Sequence, residues 1–198
     1  MPKTRQPIQT RSIETKRKIV SAGYELFAKQ GFYKTNTAMI AKYAGVSTGI
    51  VYGYFNNKTD ILKEVINEYV EKTYSPVFEL IDNIATRQNL KDIAFEVLAL
   101  AEKLHVQSCD MHRELGAVSQ ADKQVNEIFV ELQDIVTMKF VEKLKSLKYK
   151  NITCEKVHLA MNIIESFVHE VVYDNHAYIN YDKLKNDVVL LLITLFEK

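Results

Sequence analysis

Apolar residues recur at three- and four-residue spacing along nearly the whole chain, from Ile19, Ala22, Gly23, Leu26 and Phe27 near one end to Leu184 and residues 188–196 at the other. Little interrupts them. Only 6 Gly and 3 Pro occur in 198 residues, too few for the turns of an all-β fold and too few for a disordered or collagen-like chain. Such a pattern packs as helices, and with 47% apolar residues there is material for a sizeable core in one or two domains. The most apolar run, residues 188–196, is about half the ~20 residues a membrane-crossing helix needs. Residues 1–11 contain no apolar stretch of the kind a secretion signal requires. Two cysteines, Cys109 and Cys154, make no disulfide framework and suit a reducing compartment. A cytoplasmic protein without a membrane partner is the expectation.

The formal charge of +1 hides an asymmetry. Residues 1–58 hold ten basic side chains against two acidic ones, a net +8, while residues 59–198 hold 16 basic and 23 acidic ones, a net −7. A basic N-terminal module on an acidic body suits a polyanion, because Lys and Arg that neutralise phosphates release condensed counterions. Nucleic acid and an anionic membrane surface both satisfy that requirement.

The periodicity divides the chain into segments. A first helix begins near Ser12 as a cap and ends at Gly31; a short one, capped by Thr35 or Thr37, stops at Gly45; Ser47 caps another that runs to about Phe55; Asn56 or Asn57 caps a longer one from Lys58. Further helices are expected over residues 76–85, 90–105, 122–148, 153–173 and 181–197. The 90–105 segment is apolar nearly all round and belongs in the middle of a bundle. The last two segments carry more apolar surface than one subunit's core requires, which points to a homodimer built through the two C-terminal helices.

Residues 37–55, TAMIAKYAGVSTGIVYGYF, meet the requirements of a helix-turn-helix one by one. Ala41 is small where two helices cross, Gly45 can take the positive φ of the turn, and Ile40, Ala44, Val46, Val51 and Tyr54 can face a shared core. Ser47 caps a second helix whose outer face is Thr48, Gly49, Ile50, Tyr52 and Gly53, with no bulky charge to keep it from a major groove.

With Ile19, Ala22, Leu26 and Phe27 before Gly31-Phe32, then Thr35, IAKYAGVSTGIVYGYFNNK and Leu62, residues 12–65 closely resemble the TetR (tetracycline-repressor-like) family of transcriptional regulators. The resemblance implies an all-α chain, with a three-helix helix-turn-helix head and a C-terminal helical-bundle regulatory and dimerisation domain. It also implies phosphate contacts from Thr35, Thr48, Tyr54 and Lys58, and base contacts around Gly49, Ile50 and Tyr52, with Ser47 at the start of the reading helix. Gly53 and Met39 depart from the family's usual larger polar or aromatic residue and acidic or polar residue. The expected organisation is a tail and DNA-binding domain over 1–58, a connecting helix over 59–72, and a ligand-binding and dimerisation domain over 73–198. The expected partners are an operator in double-stranded DNA, a second copy of the chain and a small effector. The expected function is a repressor released by that effector. A transcriptional activator or an effector-independent DNA binder of the same fold is the alternative, with an enzyme or a membrane-surface module behind them.

Residues placed as lining an effector site are Phe78, Phe95, Leu98, Met111, His112, Phe129, Met161, Glu165 and Phe167, apolar with a few polar groups. His105, Cys109 and His112 would share one face of an uninterrupted helix and are metal-competent, but no fourth ligand matches them, and neither metal nor cofactor is assigned. Cys154, with only Lys156 as a basic neighbour in sequence, reads as a buried or inert thiol. No nucleophile elbow, phosphate loop, His-Glu-x-x-His or Rossmann glycine pattern occurs, so no catalytic residue is assigned.

Overall fold

A computed structural model describes residues 10–84, 89–147 and 151–196; the basic tail residues Lys3 and Arg5 lie outside them. Within them the chain is helical, with no strand: α1 Thr10–Gln30, α2 Thr37–Ala44, α3 Thr48–Tyr54, α4 Lys58–Ile84, α5 Leu90–Gln107, α6 Cys109–Ala121, α7 Lys123–Ser146, α8 Cys154–His169 and α9 Tyr181–Phe196, with a π-helical turn at Glu170–Asp174 after α8.

Side-chain caps set most starts. The Ser47 hydroxyl accepts from Ile50 N–H, Asn89 caps α5 and Thr153 caps α8, each satisfying a donor that the first turn leaves unpaired. Two caps differ from expectation. Asn36, rather than Thr35 or Thr37, caps α2 by accepting from Met39 N–H, because the Thr35 side chain is turned into the core. Ser12 lies inside α1, where its hydroxyl meets that of Tyr54 at 2.9 Å. The separate segment expected at 76–85 is the second half of α4, which runs through Pro76.

The chain divides into two compact units. One is the chain up to Val70 together with Cys109–Val130, and the other is Glu71–Ser108 together with the chain from Glu131. This partition departs from the expected linear one because α6, which the periodicity did not register, packs against α1. In the first unit Ile19, Phe27, Ile40, Val51, Ile61, Leu62, Val65 and Ile66 are buried. Gly23 lets α1 and α4 approach closely: a Cβ there would stand 2.8 Å from the Ile61 Cγ2. In the second unit α5, α8 and α9 bury Leu98, Phe167, Val168, Val188, Val189 and Leu192 around one another.

Candidate DNA-reading face and effector cavity

The two helices of the reading motif meet as the sequence requires. Gly45 adopts φ 69°, and the backbone N–H groups of Gly45 and Val46 return to the carbonyls of Lys42 and Ala41 at the end of α2. Ile40, Ala41 and Val51 are buried, while Thr48, Gly49, Ile50, Tyr52 and Gly53 are all exposed on α3. The Tyr52 hydroxyl meets that of Thr37 at 2.9 Å, which ties the reading helix to the start of α2. Tyr33 and Tyr43, 62% and 60% exposed, are further outward aromatic side chains of this unit that the sequence did not single out. They sit beside the exposed Lys34 and Lys42, and that Tyr-Lys adjacency is the signal that could have found them.

Three residues expected on phosphate are placed otherwise. Thr35 is 1% exposed; its hydroxyl donates to the Gly31 carbonyl at 2.8 Å and accepts from the Gln30 amide at 3.1 Å, which closes the turn between α1 and α2. Lys58 Nζ donates to the carbonyls of Phe32 and Thr35 at 2.6 and 2.8 Å and lies 4.0 Å from the centre of the Phe32 ring. Partial burial holds its pKa below the ordinary lysine value. Tyr54 is half-buried and bonded to Ser12. In this structure Thr35 and Lys58 build the platform for the reading helix rather than reaching outward. Lys16 is likewise committed, paired with Glu64 at 2.8 Å, so Arg11, Arg17, Lys18, Lys29, Lys34 and Lys42 supply the exposed positive charge of α1 to α3 and their connections.

The second unit holds a cavity of about 150 Å3. Its walls are overwhelmingly apolar: α4 contributes Val77 and Ile81, α5 Leu90, Ile93, Ala94, Val97, Ala101 and Leu104, α7 Phe140 and Leu144, α8 Val157, Ala160, Met161 and Ile164, and α9 Leu192 and Phe196. One corner is polar. His105 Nδ1 lies 2.9 Å from the Ala101 carbonyl, which can only accept, so this nitrogen carries a proton. His105 Nε2 lies 3.2 Å from Glu165. Burial by itself would lower the imidazole pKa; the Glu165 hydrogen bond and charge and the Ala101 carbonyl outweigh it and hold the group above its ordinary value of 6.5. Tyr74 shares the lining, and burial, reinforced by Glu165, pushes its hydroxyl up to about 12, so it stays protonated at neutral pH.

Of the residues placed at an effector site, Met161 and Glu165 line this cavity. Phe95, Leu98 and Phe167 pack in the neighbouring core, and Phe78 stacks on Phe140. Met111, His112 and Phe129 belong to the other unit, where Met111 is buried and His112 bonds the Tyr69 hydroxyl at 2.7 Å. The metal-competent spacing of His105, Cys109 and His112 does not survive as one helical face, because α5 is capped at Ser108 and α6 starts anew at Cys109. Cys154, the first residue of α8, is exposed rather than buried. Tyr74, Val77 and Ile81 went unrecognised as lining because Pro76 reads as a helix boundary, and only a continuous α4 brings them onto one face.

A short helix with a capped N-terminus, presented outward by a two-helix core and flanked by lysines and tyrosines, defines a helix-turn-helix DNA-binding regulator. Residues 19–65 match the profile of the bacterial regulatory proteins of the tetR family. The HTH-type transcriptional regulator HbdR of Aromatoleum sp. is 43% identical over 63 residues, 30% of this chain and 28% of that protein. The fatty acid metabolism regulator protein of Bacillus subtilis is 28% identical over 192 residues, 89% of this chain and 92% of that protein. The fold is shared with the fatty acid degradation regulator FadR from Bacillus halodurans at TM-score 0.54 and 20% identity, covering 96% of both chains. Over residues 19–65 the chain carries the DNA-binding domain of the tetR-family regulators, and it is a DNA-binding transcriptional regulator. No helix among the described residues is long and apolar enough to cross a membrane.

Proposed function

We propose that the protein is a homodimeric repressor that holds a roughly palindromic operator through α3 of each subunit and leaves it when an apolar effector fills the cavity of the second unit. The observation that carries this reading is the cavity itself, lined by apolar side chains and given direction by one polar corner at His105, Glu165 and Tyr74. Its size is close to that of a cavity that takes benzene, so it seats only the end of a longer aliphatic chain unless the walls part. A ligand that requires the walls to part has different affinities for the two arrangements, and that difference is what shifts an equilibrium. The similarity to regulators named for fatty acid metabolism and degradation supports an acyl compound as effector and lipid-metabolic genes as targets. Exposed Leu159, Leu190 and Leu191 on α8 and α9 support the two-helix face as the dimer contact.

An operator selected from a random duplex pool, followed by titration of the complex with palmitoyl-CoA, octanoyl-CoA and acetyl-CoA, tests the reading. Release by the two longer acyl compounds and not by acetyl-CoA is expected. Equal release by all three, or by none, overturns the effector assignment. A promoter bearing the selected operator should be more active in cells lacking the protein, and lower activity there would make the regulator an activator.

A further inference from the structure

The turn between α1 and α2 is held from two sides by opposite charges. On one side Lys58 Nζ donates to the carbonyls of Phe32 and Thr35. On the other, a carboxylate oxygen of Glu114, on α6, accepts the Phe32 backbone N–H at 2.6 Å. Gly31 makes this approach possible. It takes φ 92°, a conformation costly for any residue with a side chain, and a Cβ there would stand 3.4 Å from both carboxylate oxygens of Glu114. The rest of the turn is tied down: the Thr35 hydroxyl bonds back to Gly31, and the Phe32 ring packs edge-on against Phe27 at 5.3 Å. The following residues lead directly to the reading surface, since Asn36 caps α2 and Thr37 bonds Tyr52 on α3.

We propose that Glu114 is the positioning residue through which α6 sets the placement of the reading helix. A carboxylate accepting a backbone N–H is a short, directional contact, stronger than a neutral hydrogen bond, and Lys58 on the neighbouring carbonyls polarises the same stretch of backbone in the same sense. A displacement of α6 that pulls Glu114 from Phe32 frees the turn on one side only, and the start of α2, with Tyr52 bonded to it, then follows Lys58 alone. Along the chain α6 begins four residues after His105, a residue of the cavity lining, with only the Ser108 break intervening before Cys109. This extends the effector reading above by naming the residue that receives the signal, while the contact itself belongs wholly to the DNA-binding unit.

The test compares the wild-type protein with Glu114→Gln, whose amide oxygen still accepts the Phe32 N–H, and Glu114→Ala, which has no acceptor. Three readouts are taken: exchange of the Phe32 amide by NMR, affinity for the duplex that the wild type selects from a random pool, and the base preference of each variant in its own selection. Glu114→Ala should speed Phe32 exchange, weaken operator binding about tenfold and blur its base preference, with Glu114→Gln restoring most of each. A role confined to stability would lower the urea midpoint and leave the base preference of the folded protein unchanged, and that result overturns the proposal. Unchanged Phe32 exchange in Glu114→Ala also overturns it, whatever the DNA result. If the variants behave as expected but acyl compounds never release the operator, the effector reading fails and the role of Glu114 stands.

Discussion

At the scale of single residues, the informative cases are polar groups whose partners lie far away in sequence. Lys58 is the clearest. A lysine at the start of a helix in a basic module reads as a phosphate contact, yet its Nζ is committed to two carbonyls and to the Phe32 ring. Lys58→Met should therefore lower the stability of the protein by about 1 to 2 kcal/mol, seen as an earlier urea midpoint. The salt dependence of DNA binding should keep its slope, whereas a slope smaller by about one would place Lys58 on a phosphate after all. His105 supplies the pH-sensitive counterpart. Its folded pKa lies above the ordinary 6.5, so its contribution to stability is fully present below that value and is lost as pH rises through the folded pKa. Urea midpoints taken from about pH 6 to about pH 8 should fall, and His105→Gln should flatten that part of the profile.

At the scale of elements, helix starts follow rules that act within four residues, and the Ser47, Asn89 and Thr153 caps obey them. Helix continuity does not. Pro76 has no N–H to offer the Lys72 carbonyl and disfavours helix in the residue before it, so a break between a connecting helix and a later segment is the natural sequence reading. Packing prevails: Val77 and Ile81 on its C-terminal side are buried, and α4 stays whole from Lys58 to Ile84. The helix retains a local cost at that point. Pro76→Ala should raise stability by about 1 to 3 kcal/mol, measurable by urea denaturation. It should also stiffen a helix whose two halves lie in different compact units. The helix that ends at Gln107 agrees with the expected end near residue 105, whereas α6, Cys109–Ala121, has a pattern too short and mixed for periodicity to register.

At the scale of the whole molecule, the folded partition redistributes charge. The unit that carries the reading helix adds residues 59–70 and 109–130 to the +8 segment, bringing seven acidic and three basic side chains, so the unit as folded carries +4 and the other −3. The sign that draws the head toward phosphate survives, at half the size. Oligomeric assembly belongs to this scale as well. Leu190 and Leu191 are 63% and 55% exposed on the last helix. In the proposed dimer, Leu190→Glu combined with Leu191→Glu removes apolar burial of roughly 1.5 to 3 kcal/mol per side chain in each subunit. Sedimentation should then report a monomer with unchanged helicity and much weaker operator binding, and a persistent dimer would move the interface elsewhere.

The helical class, the reading motif with its Gly45 turn and Ser47 cap, and the outward set from Thr48 to Gly53 were all determined by the sequence alone. Each rests on periodicity or on backbone chemistry spanning a few residues, and such forces can be read without knowing what lies across the fold. The tertiary structure alone decided that Thr35 and Lys58 face inward, that α6 joins the DNA-binding unit through Glu114, and that Tyr74, His105 and Glu165 share one corner of a cavity. The Thr35 hydroxyl bonds to Gly31 and Gln30 within five residues, but the others depend on pairs 23 to 91 positions apart, brought together by burial that any apolar residue could have supplied. An apolar side chain records that it is buried and not against what, so the partners of a polar group appear only once the helices have packed.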